Sequence, residues 1–388
     1  MNTQNTPLHV RLWNKDFWKL AVSDMFLSMS ATMMLPTLPL FLMDTAGLSH
    51  EAVGAVMGAF ALGVCLLGTF CSWLVQTYRR NQVFMWAALA MAVSSLLLLY
   101  DFSAVKDGVL WLAVLQRVLF AAFFGLAQMV LLSILIIDTC ESVDRTAANY
   151  SSTWFSRFAL SVGPLAGLLL MRHFGFDAVV AASALSAGVS ILLIRLVDFP
   201  FRAPEENVSL FSLDRFFMPH AAVLFFNLLL VSTAVGMVLS MSLKIDFFAY
   251  MMAGFLLSLL ASRFVFRDAE LKSEIPSGLI LLIAAMLVLL NYADSPVAPV
   301  FYGIGIGTVC SRFLLFFVKL SNHCQRGTSQ STYLLAWEMG LAVGIAIGYG
   351  YCYYDTSLLL YIAIGLLAVA LVMYNVFTHN WFLSSKCR

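Results

Sequence analysis

Apolar runs of roughly 18 to 27 residues recur along almost the whole chain, each long enough to cross a hydrocarbon core of about 30 Å as a helix. Inside lipid, every backbone N–H and C=O must be bonded within the protein, and a helix does this by itself. Breaking the chain at its charged, Pro-rich and Gly-rich points places six spans near Phe17–Met43, Ala52–Val75, Val83–Tyr100, Val109–Ile137, Tyr150–Met171 and Ala178–Val197. Six more fall near Met218–Met241, Phe247–Phe266, Pro276–Tyr292, Val297–Val318, Thr328–Tyr354 and Ser357–Phe377. The expected fold is an all-α membrane protein of about twelve transmembrane helices.

Composition excludes most other classes. Hydrophobic residues make up 61% of the chain and charged residues only 11%, where a soluble domain has roughly a quarter of its residues charged. The 22 Lys and Arg balance 21 Asp and Glu, so there is no basic excess of the kind that binds nucleic acid. Seven cysteines include no C-x-x-C pair, so neither a disulfide framework nor a metal site is expected. The start of the chain is polar through Asp16 and the first apolar run lacks a small-residue cleavage site, which argues against a removable signal peptide. H-E-x-x-H, G-x-S-x-G and Walker-type patterns are absent, so neither an enzyme nor an ATP-driven pump is expected, and no cofactor.

Positive charge sets the expected orientation. With the amino terminus in the cytoplasm, sixteen Lys and Arg fall in or beside cytoplasmic loops, three (Lys106, Arg172, Lys244) in outer loops, and Arg117, Arg157 and Arg312 within spans. Both termini then face the cytoplasm. The longest charged interruption, Asp198–Phe217, follows six spans and reads as a cytoplasmic linker. The chain accordingly divides into an amino-terminal bundle (1–197), a linker (198–217) and a carboxy-terminal bundle (218–388).

An internal repeat relates these halves. DRTAANYSSTWFSRFALSVGPLAG from Asp144 overlays without gaps on QRGTSQSTYLLAWEMGLAVGIAIG from Gln325. Arg145 falls on Arg326, Arg157 on Glu338, Gly163 on Gly344 and Gly167 on Gly348. Small residues four apart recur in any helix bundle. The added match of a basic residue and an intramembrane charge at fixed distance points to a true repeat of the kind that transporters carry.

At these residues the chain resembles the major facilitator superfamily, bacterial efflux-like members in particular. Gly163, Pro164 and Gly167 resemble the core of that family's fifth-helix antiporter motif, and Leu115-Gln116-Arg117 the start of its fourth-helix motif. The loop LVQTYRRNQ from Leu74 resembles the signature loop, with Arg80 at a basic position and Gln76 where an Asp is usual. LPTLPLFL at Leu35–Leu42 resembles the first-helix ending. The resemblance implies a monomeric secondary transporter of a small organic solute in the cytoplasmic (inner) membrane, working by alternating access and driven by a proton gradient. Efflux by antiport is the favoured direction; uptake by symport, or a lipid-handling role, is the alternative.

Charges within a bilayer cost at least ~2.5 kcal/mol each and so ask for a partner or a function. Asp24 and Arg157 each lie seven residues into their spans, roughly 10 Å deep from the same side, and are expected to pair. Glu338 lies ten residues in and close to the midplane; it pairs more loosely with Arg312 of the preceding span, or else Arg312 snorkels to the cytoplasmic surface. Glu338 is the first candidate for the coupling proton and Asp24 the second. Arg117 either serves coupling and anion binding or is bonded to carbonyls and to Gln116 or Gln128. Asn227, Gln128, Met33 and Met34 are candidates for the solute path, or else make packing and inter-helix contacts.

Overall fold

The computed structural model describes residues 13–99, 108–140, 145–199, 208–264, 271–322 and 325–385. Within these, twelve long helices follow the apolar runs and no strand occurs. The first half holds α1 (Lys15–Asp44), α2 (His50–Thr77), α3 (Arg80–Leu99), α4 (Val109–Thr139), α5 (Arg145–Phe174) and α6 (Phe176–Arg195). The second holds α7 (Pro219–Leu239), α8 (Ile245–Phe264), α9 (Leu271–Asn291), α10 (Val297–Leu320), α11 (Arg326–Tyr351) and α12 (Thr356–Ser385). Eleven are long and apolar enough to cross a membrane by length and composition, and α8 stands in the place of the twelfth span. The near face is the one at which α1 begins and α12 ends; the far face lies opposite.

Local chemistry explains the irregular turns. α1 breaks at Met33, just before the Pro36 and Pro39 turns, because proline removes a backbone donor and crowds the preceding turn. α4 carries a wholly buried π-turn at Leu131–Leu135, where the Ser133 hydroxyl donates to the Met129 carbonyl. The α9 helix begins five residues before the apolar run that marks it, since hydropathy sees the apolar part of a helix and not its polar first turn. Glu274 is thereby carried into a helix, with only 1% of its surface exposed.

Every major helix contact of the first half has a counterpart in the second. α1 packs on α5 and α6 as α7 packs on α11 and α12; α4 packs on α2 and α3 as α10 packs on α8 and α9. The halves meet where α2 lies along α11 and α5 along α8, which are themselves equivalent contacts. Gly163 and Gly167 of α5 abut Thr32 and Met33 of α1, and Gly344 and Gly348 of α11 abut Thr233 of α7 and Ser240, the residue that caps it. The repeated glycines therefore do the same work twice, bringing one helix onto the backbone of its neighbour. Peripheral helices keep an apolar outer side: 89% of the apolar stretch of α4 is buried, against 28% of that of α12.

Candidate functional site in the central cavity

Between the halves lies a cavity built from α1, α2, α4, α5 and α11. The register that stacks α5 on α1 turns Arg157 inward, and the equivalent register of α11 on α7 turns Glu338 toward it. Arg157 Nη1 donates to Glu338 Oε1 at 2.9 Å, and the two side chains are 4% and 12% exposed. The guanidinium also lies 4.8 Å from the Trp337 ring and 5.6 Å from Tyr333. Among the described residues its Nε and Nη2 have no hydrogen-bond partner.

This is the first correction to the sequence reading. Arg157 does not pair with Asp24 in its own half; it pairs with Glu338 across the cavity. Positions equivalent under the repeat face one another across the pseudo-twofold axis, so depth from the surface was the wrong guide. The second correction follows, because Glu338 does not face Arg312. Arg312 pairs with Glu274 of α9, away from the cavity. Glu274 lies in the polar first turn of α9, ahead of the apolar run, where hydropathy does not count it as part of a span.

Asp24 is fully buried, within electrostatic reach of Arg157 and Glu338, and among the described residues neither of its carboxyl oxygens has a hydrogen-bond partner. Removing one partner of a buried ion pair costs about 3–5 kcal/mol, whereas removing an unpaired buried charge does not. Asp24→Asn is therefore expected to keep or raise the melting temperature and the monodisperse yield of purified protein. A fall of that size would reinstate Asp24 as the partner of Arg157.

Arg117 enters the cavity from α4 and is 1% exposed. Its guanidinium sits 4.6 Å from the Phe60 ring and 5.7 Å from Phe120, while Nε and Nη1 have no hydrogen-bond partner among the described residues. Gln116 and Gln128 do not serve it: Gln116 donates to the Ser94 carbonyl and Gln128 to the Ser156 hydroxyl. Other polar groups at the cavity wall are likewise engaged between helices, Ser28 with Ser156 at 2.8 Å and Thr32 with the Ala159 carbonyl at 2.9 Å. Asn227 lies outside the cavity and donates to the Ala370 carbonyl and Thr378 of α12, so it fastens two helices. Met33 and Met34 are buried in packing clusters.

Contacts close the cavity toward the near face. Gln330 of α11 donates to Thr153 of α5 at 2.7 Å, and Gly327 packs against the Ser133 carbonyl at the π-turn of α4. Arg80 forms an ion pair with Asp138 at the end of α4, which ties the loop after α2 to the fourth helix. Of the predicted linker, residues 200–207 lie outside the described residues. The described part packs on both halves: the Ser212 amide donates to the Thr69 carbonyl, and the Arg215 and Met218 amides donate to Thr328 and Thr332 at 2.9 and 2.8 Å. Toward the far face, the His50 ring of α2 bonds the Tyr349 carbonyl of α11 at 3.1 Å, and Gly54 lies against Gly350. Among the described residues no cluster of His, Cys, Asp and Glu could hold a metal ion.

A family model described as Major Facilitator Superfamily matches residues 20–345. No curated protein matches the sequence. Among solved structures, the chain is similar to the human organic anion transporter MFSD10 (TETRAN), with 14% identity and a TM-score of 0.68 over 92% of this chain and 98% of that one. It is similar to the POT family transporter PepTSo, with 12% identity and a TM-score of 0.69 over 96% of this chain and 99% of that one. The nucleoside transporter NupG gives 13% identity and a TM-score of 0.66 over 93% of this chain and 99% of that one. At such identities the likeness concerns the fold.

Proposed function

The chain belongs to the major facilitator superfamily and is a multi-pass membrane transporter, and on that premise we propose that it is proton-coupled, with Glu338 carrying the proton. The observation behind this reading is the Arg157–Glu338 pair, which ties α5 of one half to α11 of the other inside the cavity at 2.9 Å. Alternating access by rocking the halves must break that tie. Breaking it between two ionised groups leaves two buried charges unpaired, at a cost of several kcal/mol. A proton on Glu338 removes one of those charges and lets the halves part. The near face is taken as cytoplasmic, in the inner membrane, as the distribution of Lys and Arg suggests.

Two directions fit this tie, each with one observation behind it. Export in exchange for protons is supported by the aromatic part of the cavity wall, Phe60, Phe124 and Trp337, which suits amphipathic solutes of varied shape. Uptake together with a proton is supported by the excess of guanidinium over carboxylate in the cavity. The Gly163, Pro164 and Gly167 segment favours neither, since its glycines are used in packing α5 on α1. In proteoliposomes with an imposed pH gradient and a trapped pH indicator, a cargo drawn from a panel of metabolites and drugs is expected to accumulate, to move protons and to stop when a protonophore is added. Accumulation indifferent to the protonophore would remove proton coupling, and the sign of the internal pH change gives the direction.

A further inference from the structure

We propose that the cargo is an organic anion of amphipathic shape, its anionic group held by Arg117 and Arg157 and its apolar body by Phe60, Phe124 and Trp337. The proposal deepens the transporter reading and rests on it. Among the described residues, three side chains bring unspent donors to the cavity: Nε and Nη1 of Arg117, Nε and Nη2 of Arg157, and Nε1 of Trp337. Each of these side chains is at least nine-tenths buried. Against them, among the described residues that line the cavity, stands one carboxylate, Glu338, which accepts a hydrogen bond from Arg157. Asp24 does not line the cavity, and the serines and threonine of its wall are bonded between helices.

A buried guanidinium without a counter-ion is costly, and the faces of Phe60 and Phe120 compensate only part of its lost hydration. A carboxylate or similar anion matches the planar fork of a guanidinium in two parallel bonds. A cationic cargo would instead add a positive charge beside two arginines, and a neutral one would leave their donors unmet. An anion seated on Arg157 takes the place of Glu338 there, and a proton on the displaced carboxylate restores the charge count. Cargo and proton then travel together, which selects symport.

The test uses three probes with one apolar body, 4-phenylbutyrate, 4-phenylbutanamide and 4-phenylbutylamine, titrated calorimetrically into the purified full chain. The carboxylate is expected to bind at least tenfold more tightly than the amide, and the amine not at all. Arg117→Gln is expected to weaken the carboxylate at least tenfold and leave the amide unchanged. A second variant needs no ligand: Arg117→Met keeps the packing stem and removes the uncompensated charge, so it is expected to melt above the wild type. Equal binding of carboxylate and amide, binding of the amine, binding of none of the three, or a lower melting temperature for Arg117→Met would overturn the proposal. Failure of proton coupling is seen separately, as accumulation by a Glu338 variant that still prefers the carboxylate.

Discussion

Glu338→Gln is expected to abolish accumulation of cargo against its gradient while leaving exchange down a cargo gradient. Glutamine keeps the length and shape of the side chain and can still accept a hydrogen bond from Arg157 Nη1, which in the native chain spans 2.9 Å. What it loses is the charge that changes when a proton binds. The halves of the variant are no longer held by an ion pair, so the rocking step proceeds at any pH and gains nothing from the proton gradient. Two assays on the same proteoliposomes read this: counterflow at equal pH, expected to persist, and pH-driven accumulation, expected to fall to the level of empty liposomes. If Glu338→Gln still concentrates cargo at wild-type rates, the proton is carried elsewhere, and Asp24 is the next acid to test.

Gly344→Leu is expected to abolish folded protein. A Cβ at Gly344 would collide with the Thr233 carbonyl and stand 2.8 Å from the Met237 amide, both backbone atoms of α7 that no rotamer change can move away. Gly236, from the α7 side of the same contact, would meet the Leu341 carbonyl, so neither helix has room to retreat. Overpacking of a well-filled core costs about 1–3 kcal/mol where side chains can yield, and here the obstacle is the opposing main chain. Gly350→Ala, where nothing stands within 4 Å of an added Cβ, is the control and is expected to be neutral. Size-exclusion profiles of the two variants give the comparison. A monodisperse, wild-type-like Gly344→Leu protein would show that α7 and α11 are not packed as described.

The spans and the repeat could be read from the sequence because lipid leaves the backbone few options. An apolar run of sufficient length has to be a helix, and close-packed helices need small residues at fixed spacing, so the segments around Gly163 and Gly344 already matched in sequence. The same overlay set Arg157 on Glu338, and the structure shows those two residues bonded across the cavity. Sequence depth alone suggested Asp24 for Arg157 and Arg312 for Glu338, because it measures distance from the surface and not direction around the helix. Which way a residue faces is set by how its helix rolls against its neighbours. The Gly163 contact with α1 and the Gly344 contact with α7 fix that roll and turn both charges onto the axis between the halves. Glu274 was lost for another reason: it sits in the polar first turn of α9, which helical hydrogen bonding extends beyond the apolar run. The identity of the buried charges was thus a property of the sequence, whereas their pairing depended on the tertiary structure, since an ion pair between residues 181 apart exists only once two bundles meet.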